Sequence, residues 1–227
     1  RAFGNGGEPM LQLIKKELYL CLHPTSVVFL FFAALAFVPN YPYEVIFFFS
    51  GLSVYFYCLT SRENGDLAFT CALPVKKQQI PLARIFTAAA LQCTLLLLTG
   101  IAGALKEVLF PAEMLINQAG ISANMALLGN GALLLGVFNA IFFPLYYKNP
   151  EKIGIPFVFS TVVVFLLIAL MIIFRWTVPL FSVTLNGGNA ENTAAKAIAM
   201  LLGLLAYAAL TWIACAASVK NFKKVDL

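Results

Sequence analysis

The stretch SRENGDLAFTCALPVKKQQIPLAR, residues 61–84, is a charged island in an oily chain. The segments beside it, 45–60 and 85–105, contain no Asp, Glu, Lys or Arg. A charge at a bilayer centre costs about 2.5–3.5 kcal/mol on insertion scales, so uncharged runs of this kind are where a chain crosses lipid. The island is therefore a loop held at one membrane face. Its acids come first and its bases last, around Leu73-Pro74-Val75.

Working outward, the same reasoning covers the whole chain. Of 227 residues, 61% are hydrophobic and only 11% charged, against about 25% charged in a soluble domain. The expected class is an all-α membrane protein that crosses the bilayer several times. Each crossing needs about 20 apolar residues. Six spans are predicted, at 24–38, 45–60, 80–105, 123–147, 153–174 and 194–219. Together residues 24–227 form one transmembrane domain, with the island as its first loop.

The first nine residues, RAFGNGGEP, differ in character from the rest and read as a remnant ahead of a natural start at Met10. Residues 10–23 are read as an amphipathic helix lying in the membrane interface. Leu11, Ile14, Leu18, Cys21 and Leu22 form its apolar face, and Gln12, Lys16, Tyr19 and His23 its polar one. Pro24 supplies the break into the first span.

Orientation follows from the bases. Lys15, Lys16, Arg62, Lys76, Lys77, Arg84, Lys148, Lys152, Lys220, Lys223 and Lys224 fall on one side of the predicted spans, and only Lys106, Arg175 and Lys196 on the other. By the positive-inside rule both termini and the island are cytoplasmic. The segments 106–122 and 176–193 face outward, with apolar residues able to dip back into the interface. The net charge of +5 is thus an orientation signal and does not mark a nucleic-acid partner.

Several chemistries are excluded. No lysine is followed by Ser or Thr, so a phosphate-binding GxxxxGK[ST] loop is absent and the chain holds no ATP by that route. A single histidine, His23, builds neither HExxH nor a Ser-His-Asp set. Five scattered cysteines without CxxC spacing disfavour disulfides and a metal cage. Acids sit at span ends or in loops, Glu44 and Glu107 being nearest to lipid, which disfavours proton-coupled carriage.

Three internal patterns remain. Ala195, Ala199 and Gly203 recur at four-residue spacing and form a helix-packing face. Asn124, Asn130 and Asn139 are expected to satisfy other amides across helices. Most of the phenylalanines, among them Phe29, Phe31, Phe32, Phe47, Phe48 and Phe49, are expected to face lipid. In the island, a short helix would place Leu67, Phe69 and Leu73 where a soluble partner could bury them, with Glu63 and Asp66 near its N-terminus.

An amphipathic N-terminal helix, six spans and a first cytoplasmic loop of this composition resemble ABC-2 type transporter permeases. Gly65-Asp66-Leu67 through Leu73-Pro74-Val75-Lys76-Lys77-Gln78-Gln79-Ile80 and Arg84 are similar to permeases of the bacterial phenol-soluble modulin exporter group. The resemblance implies a coupling helix that docks on a separate cytoplasmic ABC ATPase dimer, which would carry the ATP and Mg. It implies the coupling role for Glu63, Asp66, Leu67, Phe69, Leu73 and Pro74, with Lys76, Lys77 and Arg84 at the membrane edge. It further implies a second permease copy or close homologue, a bacterial plasma membrane, no enzymatic activity in this chain, and amphipathic peptides or hydrophobic compounds as cargo. Pro81 departs from the pattern, because a proline just inside the third span is expected to loosen that connection. The alternative reading is a stand-alone membrane channel or ion-coupled carrier.

Overall fold

The structure is a computed structural model that describes residues 8–22 and 24–225. His23 and residues 1–7 of the N-terminal tail lie outside the described residues. Within them every regular element is helical. Helix α1 (Glu8–Lys16) continues as a π-helical turn, Glu17–Cys21. Helix α2 (Pro24–Val28) continues as a 3-10 helix, Phe29–Phe37. Then follow α3 (Val45–Glu63), the loop helix α4 (Asp66–Cys71), α5 (Gln79–Leu109), the short α6 (Ala112–Leu115), α7 (Met125–Tyr146), α8 (Gly154–Thr177) and α9 (Thr193–Phe222).

Five helices, α3, α5, α7, α8 and α9, are each long and apolar enough to cross a membrane. The expected first span is shorter. Met10–Cys21 meets Pro24–Phe37 at a bend of 96°. Fourteen residues of pure α-helix rise about 21 Å, but the 3-10 portion rises about 2.0 Å per residue and stretches the segment to about 25 Å. Its far end packs beside the end of α5. The Ala36 carbonyl there accepts from Lys106 Nζ, near the end of α5, at 3.1 Å. Ser26 and Ser53 exchange hydroxyl-to-carbonyl bonds of 3.0 Å and clasp α2 to α3.

The connections separate into two ends. At one end Arg62 donates to the Glu151 carbonyl at 3.3 Å, Lys77 to the Val225 carbonyl at 2.5 Å and Asn64 to the Leu20 carbonyl at 3.4 Å. The loop 61–84, the turn 147–153, the π-helical turn at Leu20 and the segment at Val225 therefore lie together. At the opposite end, the segments expected to dip into the interface are tied into a cap. Asn117 donates to the Tyr41 carbonyl at 2.8 Å, Ser122 Oγ to Asn186 Oδ1 at 2.5 Å, and Asn124 to the Leu185 and Gly187 carbonyls at 2.8 and 2.9 Å. Glu107 accepts from the Asn189 backbone and side-chain amides at 2.7 and 2.8 Å. Glu44 is fully buried; burial pushes its carboxyl above the ordinary value, against the Ile121 N–H that it accepts at 3.0 Å.

In the interior α7 is the central post. A Cβ built on Gly203 of α9 would lie 2.0 Å from the Gly129 carbonyl oxygen, and one on Gly129 would lie 2.3 Å from that of Ala199. Only glycine permits this approach of α7 and α9. Midway, Gln92 of α5 and Asn139 of α7 exchange two amide bonds of 2.8 Å, joined by Tyr207 and Thr211 of α9 at 2.9 and 3.1 Å. Asn139 thus finds an amide across helices, whereas Asn124 caps α7 by accepting from Leu127 N–H.

The face of α1 turned to the protein carries Leu13, Glu17 and Cys21, where Glu17 meets a buried cation, while Leu11 and Leu18 of the expected apolar face point away from the protein. Two further expectations are corrected. Among the six singled-out phenylalanines, Phe31 is exposed, Phe47 is buried, and the others are half-buried. Phe29, Phe32 and Phe49 stack between α2 with its 3-10 extension and α3, with Phe32 and Phe49 centroids 4.2 Å apart. Pro81 falls in the first turn of α5, where its missing N–H would have had no intrahelical partner, so the helix is not loosened.

Candidate functional site

Helix α3 ends at Glu63 and α4 begins at Asp66, so the chain reverses across Asn64 and Gly65. Gly65 makes this possible at φ +63°, and a Cβ there would meet nothing within 4 Å. Gly65→Ala is thus expected to lower stability by about 1–2 kcal/mol through backbone strain alone, read as a modest fall in the thermal unfolding temperature. The turn presses one face of α4 onto the protein and leaves the other outside.

The inner face meets a buried ion cluster. Arg84, in the second turn of α5, is completely buried. Its Nη2 donates to Asp66 Oδ2 at 2.6 Å and to Glu17 Oε1 at 3.1 Å, its Nε to Glu17 Oε2 at 3.1 Å, and its Nη1 to the Tyr146 hydroxyl at 3.0 Å. Lys16 Nζ bonds both Asp66 oxygens at 2.8 and 2.9 Å, Thr70 Oγ1 at 2.7 Å and Glu17 Oε1 at 3.0 Å. Ser61 donates to Asp66 at 3.2 Å, and the Tyr57 hydroxyl donates to Glu17 Oε2.

Two acids and two bases balance in charge. Burial pushes the Asp66 carboxyl up, but the Arg84 guanidinium and the Lys16 ammonium outweigh it and hold the group below its ordinary value. A planar guanidinium is the side chain suited to this position, because its fork reaches two carboxylates and a phenol at once. The cluster joins α1 with its π-turn, α3, α4, α5 and α7. Glu17, Cys21 and Asp66 also bring ligand-type atoms within 4.8 Å of one another. The two bases already neutralise both carboxylates, so the set fits an ion-pair network rather than a metal.

The sequence-derived residues divide accordingly. Asp66 and Arg84 come together inside the protein, so Arg84 is an interior cation and not a membrane-edge base. Leu67 is buried in the core and is not presented to a partner, because α4 turns that side inward to seat Asp66. Phe69 is 58% exposed, Pro74 and Glu63 are exposed, and Leu73 is half-buried. Lys76 is exposed; Lys77 reaches the C-terminal segment, with its ammonium 5.7 Å from the Phe222 ring centre. On the far side of the chain, Ala199 and Gly203 lie at the α7 contact and Ala195 packs on the core. Sequence reasoning missed Lys16, Glu17, Tyr57 and Tyr146. One signal was present: Glu17 stands four residues from both Leu13 and Cys21, an acid on an otherwise apolar helix stripe.

A bundle of long apolar helices, with a loop helix clamped by ions at one end, defines a multi-spanning membrane protein. Comparison with known families agrees: residues 12–223 match the family described as ABC-2 family transporter protein. The chain belongs to that family, and it is a membrane permease of an ABC-type transporter, a multi-pass protein of the plasma membrane. Such permeases generally work with a cytoplasmic ABC ATPase and are not themselves the enzyme. No curated protein and no solved structure matches the chain.

Proposed function

We propose that this permease is an exporter subunit driven through α4 by a separate ATPase dimer bearing ATP and Mg, with the loop 61–84 and both termini in the cytoplasm. The observation that carries the reading is the two-sidedness of α4. Asp66 and Leu67 lock it to the permease, while Phe69 and Pro74 stand in the open beside it. A large apolar side chain held out on a rigid helix is an anchor for a partner's pocket. Closure of the ATPase would push α4, and the ion cluster would pass that push to α1, α3, α5 and α7 together. A second permease copy or close homologue completes the route. The likeness of the loop to the phenol-soluble modulin exporter group supports amphipathic peptides or hydrophobic compounds as cargo.

The test is co-expression and co-purification with a candidate cytoplasmic ABC ATPase. Phe69→Asp is expected to weaken that association by about 30-fold or more, the effect of losing an interface anchor. Membrane insertion and thermal stability should stay as in the unaltered protein, since Phe69 is mostly exposed. Association unchanged by Phe69→Asp would reject α4 as the docking element. Export that continues without any ATPase would favour the carrier or channel.

A further inference from the structure

In the cap, at the end of the molecule remote from the loop 61–84, Glu44 stands immediately ahead of α3 with its side chain sealed from solvent. Its Oε1 accepts from the Ile121 N–H at 3.0 Å, while its Oε2 is buried and has no hydrogen-bond partner. The segment 117–122 is pressed onto this carboxyl. A Cβ built on Gly120 would lie 2.5 Å from Oε2 and 3.0 Å from Oε1, so glycine is what lets the backbone lie there. Such a site is poor for an ionised carboxylate, which needs several donors or a cation once it leaves water.

The neighbouring charged and titratable groups are turned elsewhere. Lys106 of α5 donates to the Tyr43 hydroxyl at 2.5 Å and to the Ala36 carbonyl at 3.1 Å, and that hydroxyl donates to the Val38 carbonyl at 2.9 Å. Tyr41 packs beside Tyr43, with ring centres 6.4 Å apart. Glu107 of α5 is held by Asn189, and Arg175 of α8 donates to the Asn117 carbonyl at 3.3 Å. The segment 117–122 itself contains no titratable side chain. Among the described residues the ion pairs all belong to the Arg84 cluster at the other end. The segment that covers Glu44 is also the knot of the cap. Its Asn117 holds the Tyr41 carbonyl, and its Ser122 bonds Asn186 and accepts from the Gly187 N–H at 3.1 Å.

We propose that Glu44 is a proton-operated latch: the segment 117–122 seals over it while the carboxyl carries a proton, and lifts, releasing the strap to Asn186, when that proton passes to water. The sign follows from linkage. Burial raises this carboxyl above its ordinary value of 4.5, so the closed cap holds the proton more tightly than the open one. Closure is at full strength below that ordinary value and weakens as pH rises through the raised one. The latch gates this end of the molecule and supplies no energy for transport. It stands on the cap alone and depends neither on the partner ATPase nor on the direction of transport.

The test is amide hydrogen exchange of the purified chain in nanodiscs, read by mass spectrometry from about pH 5 to about pH 8 and corrected for the intrinsic rate at each pH. Protection of peptides covering 117–122 is expected to fall by about ten-fold or more across that range. Glu44→Gln keeps the shape and the acceptor for Ile121 but cannot ionise, and should hold protection constant to within about two-fold. Gly120→Ala sets a methyl against the carboxyl and should leave the segment poorly protected throughout. Peptides of α4 serve as the control, because Asp66 is held below its ordinary value and titrates beneath this window. Protection in the unaltered protein that stays flat or rises with pH overturns the proposal, as does the same fall in Glu44→Gln. Should Glu44→Gln fail to fold, infrared spectra of the unaltered protein decide. The C=O stretch of a protonated carboxyl should persist above the ordinary carboxylate range and disappear in step with the loss of protection, and its absence overturns the latch.

Discussion

Replacing Arg84 by Met is expected to lower stability by about 3–5 kcal/mol, the usual consequence of removing one member of a buried ion pair. The loss is not the worth of a contact. It arises because Glu17 and Asp66 remain buried with only Lys16 to balance them, and Lys16 lies at the protein's edge with 11% of its side chain exposed. Arg84→Lys should recover only part of the loss, because one ammonium cannot reach Glu17, Asp66 and the Tyr146 hydroxyl together. Combining Arg84→Met with Glu17→Gln should give a more stable protein than Arg84→Met alone, since the remaining Asp66 and Lys16 then balance in charge. Thermal unfolding in detergent gives the order. A double variant no more stable than Arg84→Met would mean that the cluster does not act as a charge-balanced unit. Partner association should follow the same order as stability, because α4 is seated by Asp66.

The second large effect is steric. Gly203→Val is expected to separate α9 from α7, because the added carbon falls 2.0 Å from the Gly129 oxygen and 2.5 Å from its Cα. These are backbone atoms, which no rotamer change can move aside. The cost belongs at the upper end of the about 1–3 kcal/mol seen for overpacked cores, or beyond it. Limited proteolysis and gel filtration of the variant report it as cleavage within 193–222 and loss of a single sharp peak. Gly154→Ala is the control, since nothing lies within 4 Å of a Cβ there. Equal behaviour of the two variants would show that α7 and α9 are not held by this contact.

The spans were legible in the sequence because each is an apolar run with at most one charged residue, near its end, and the long helices start and stop within a few residues of the expected limits. The loop helix was legible because acid, glycine and apolar residues follow one another there. Its inner face was not. Reading Leu67 as presented to a partner required knowing which side of α4 turns inward, and that is set by Asp66 meeting Arg84, 18 residues further on. Arg84 also decides which side of α1 faces the protein, because Glu17 left as an unpaired carboxylate in a low-dielectric site would be costly. The stacked phenylalanines escaped for a different reason. In a bilayer both lipid and protein interior are apolar, so hydrophobicity alone does not say which way a ring faces.

The stretched segment Pro24–Phe37 has a mechanical corollary for the surroundings. Its outward side, with Val28 and Phe31, is exposed, yet it reaches only about 25 Å. The 31 residues of α5 and the 30 of α9 each extend about 45 Å, enough to cross at a slant. Acyl chains bordering this short flank are expected to compress or splay to meet it, thinning the bilayer locally beside α2.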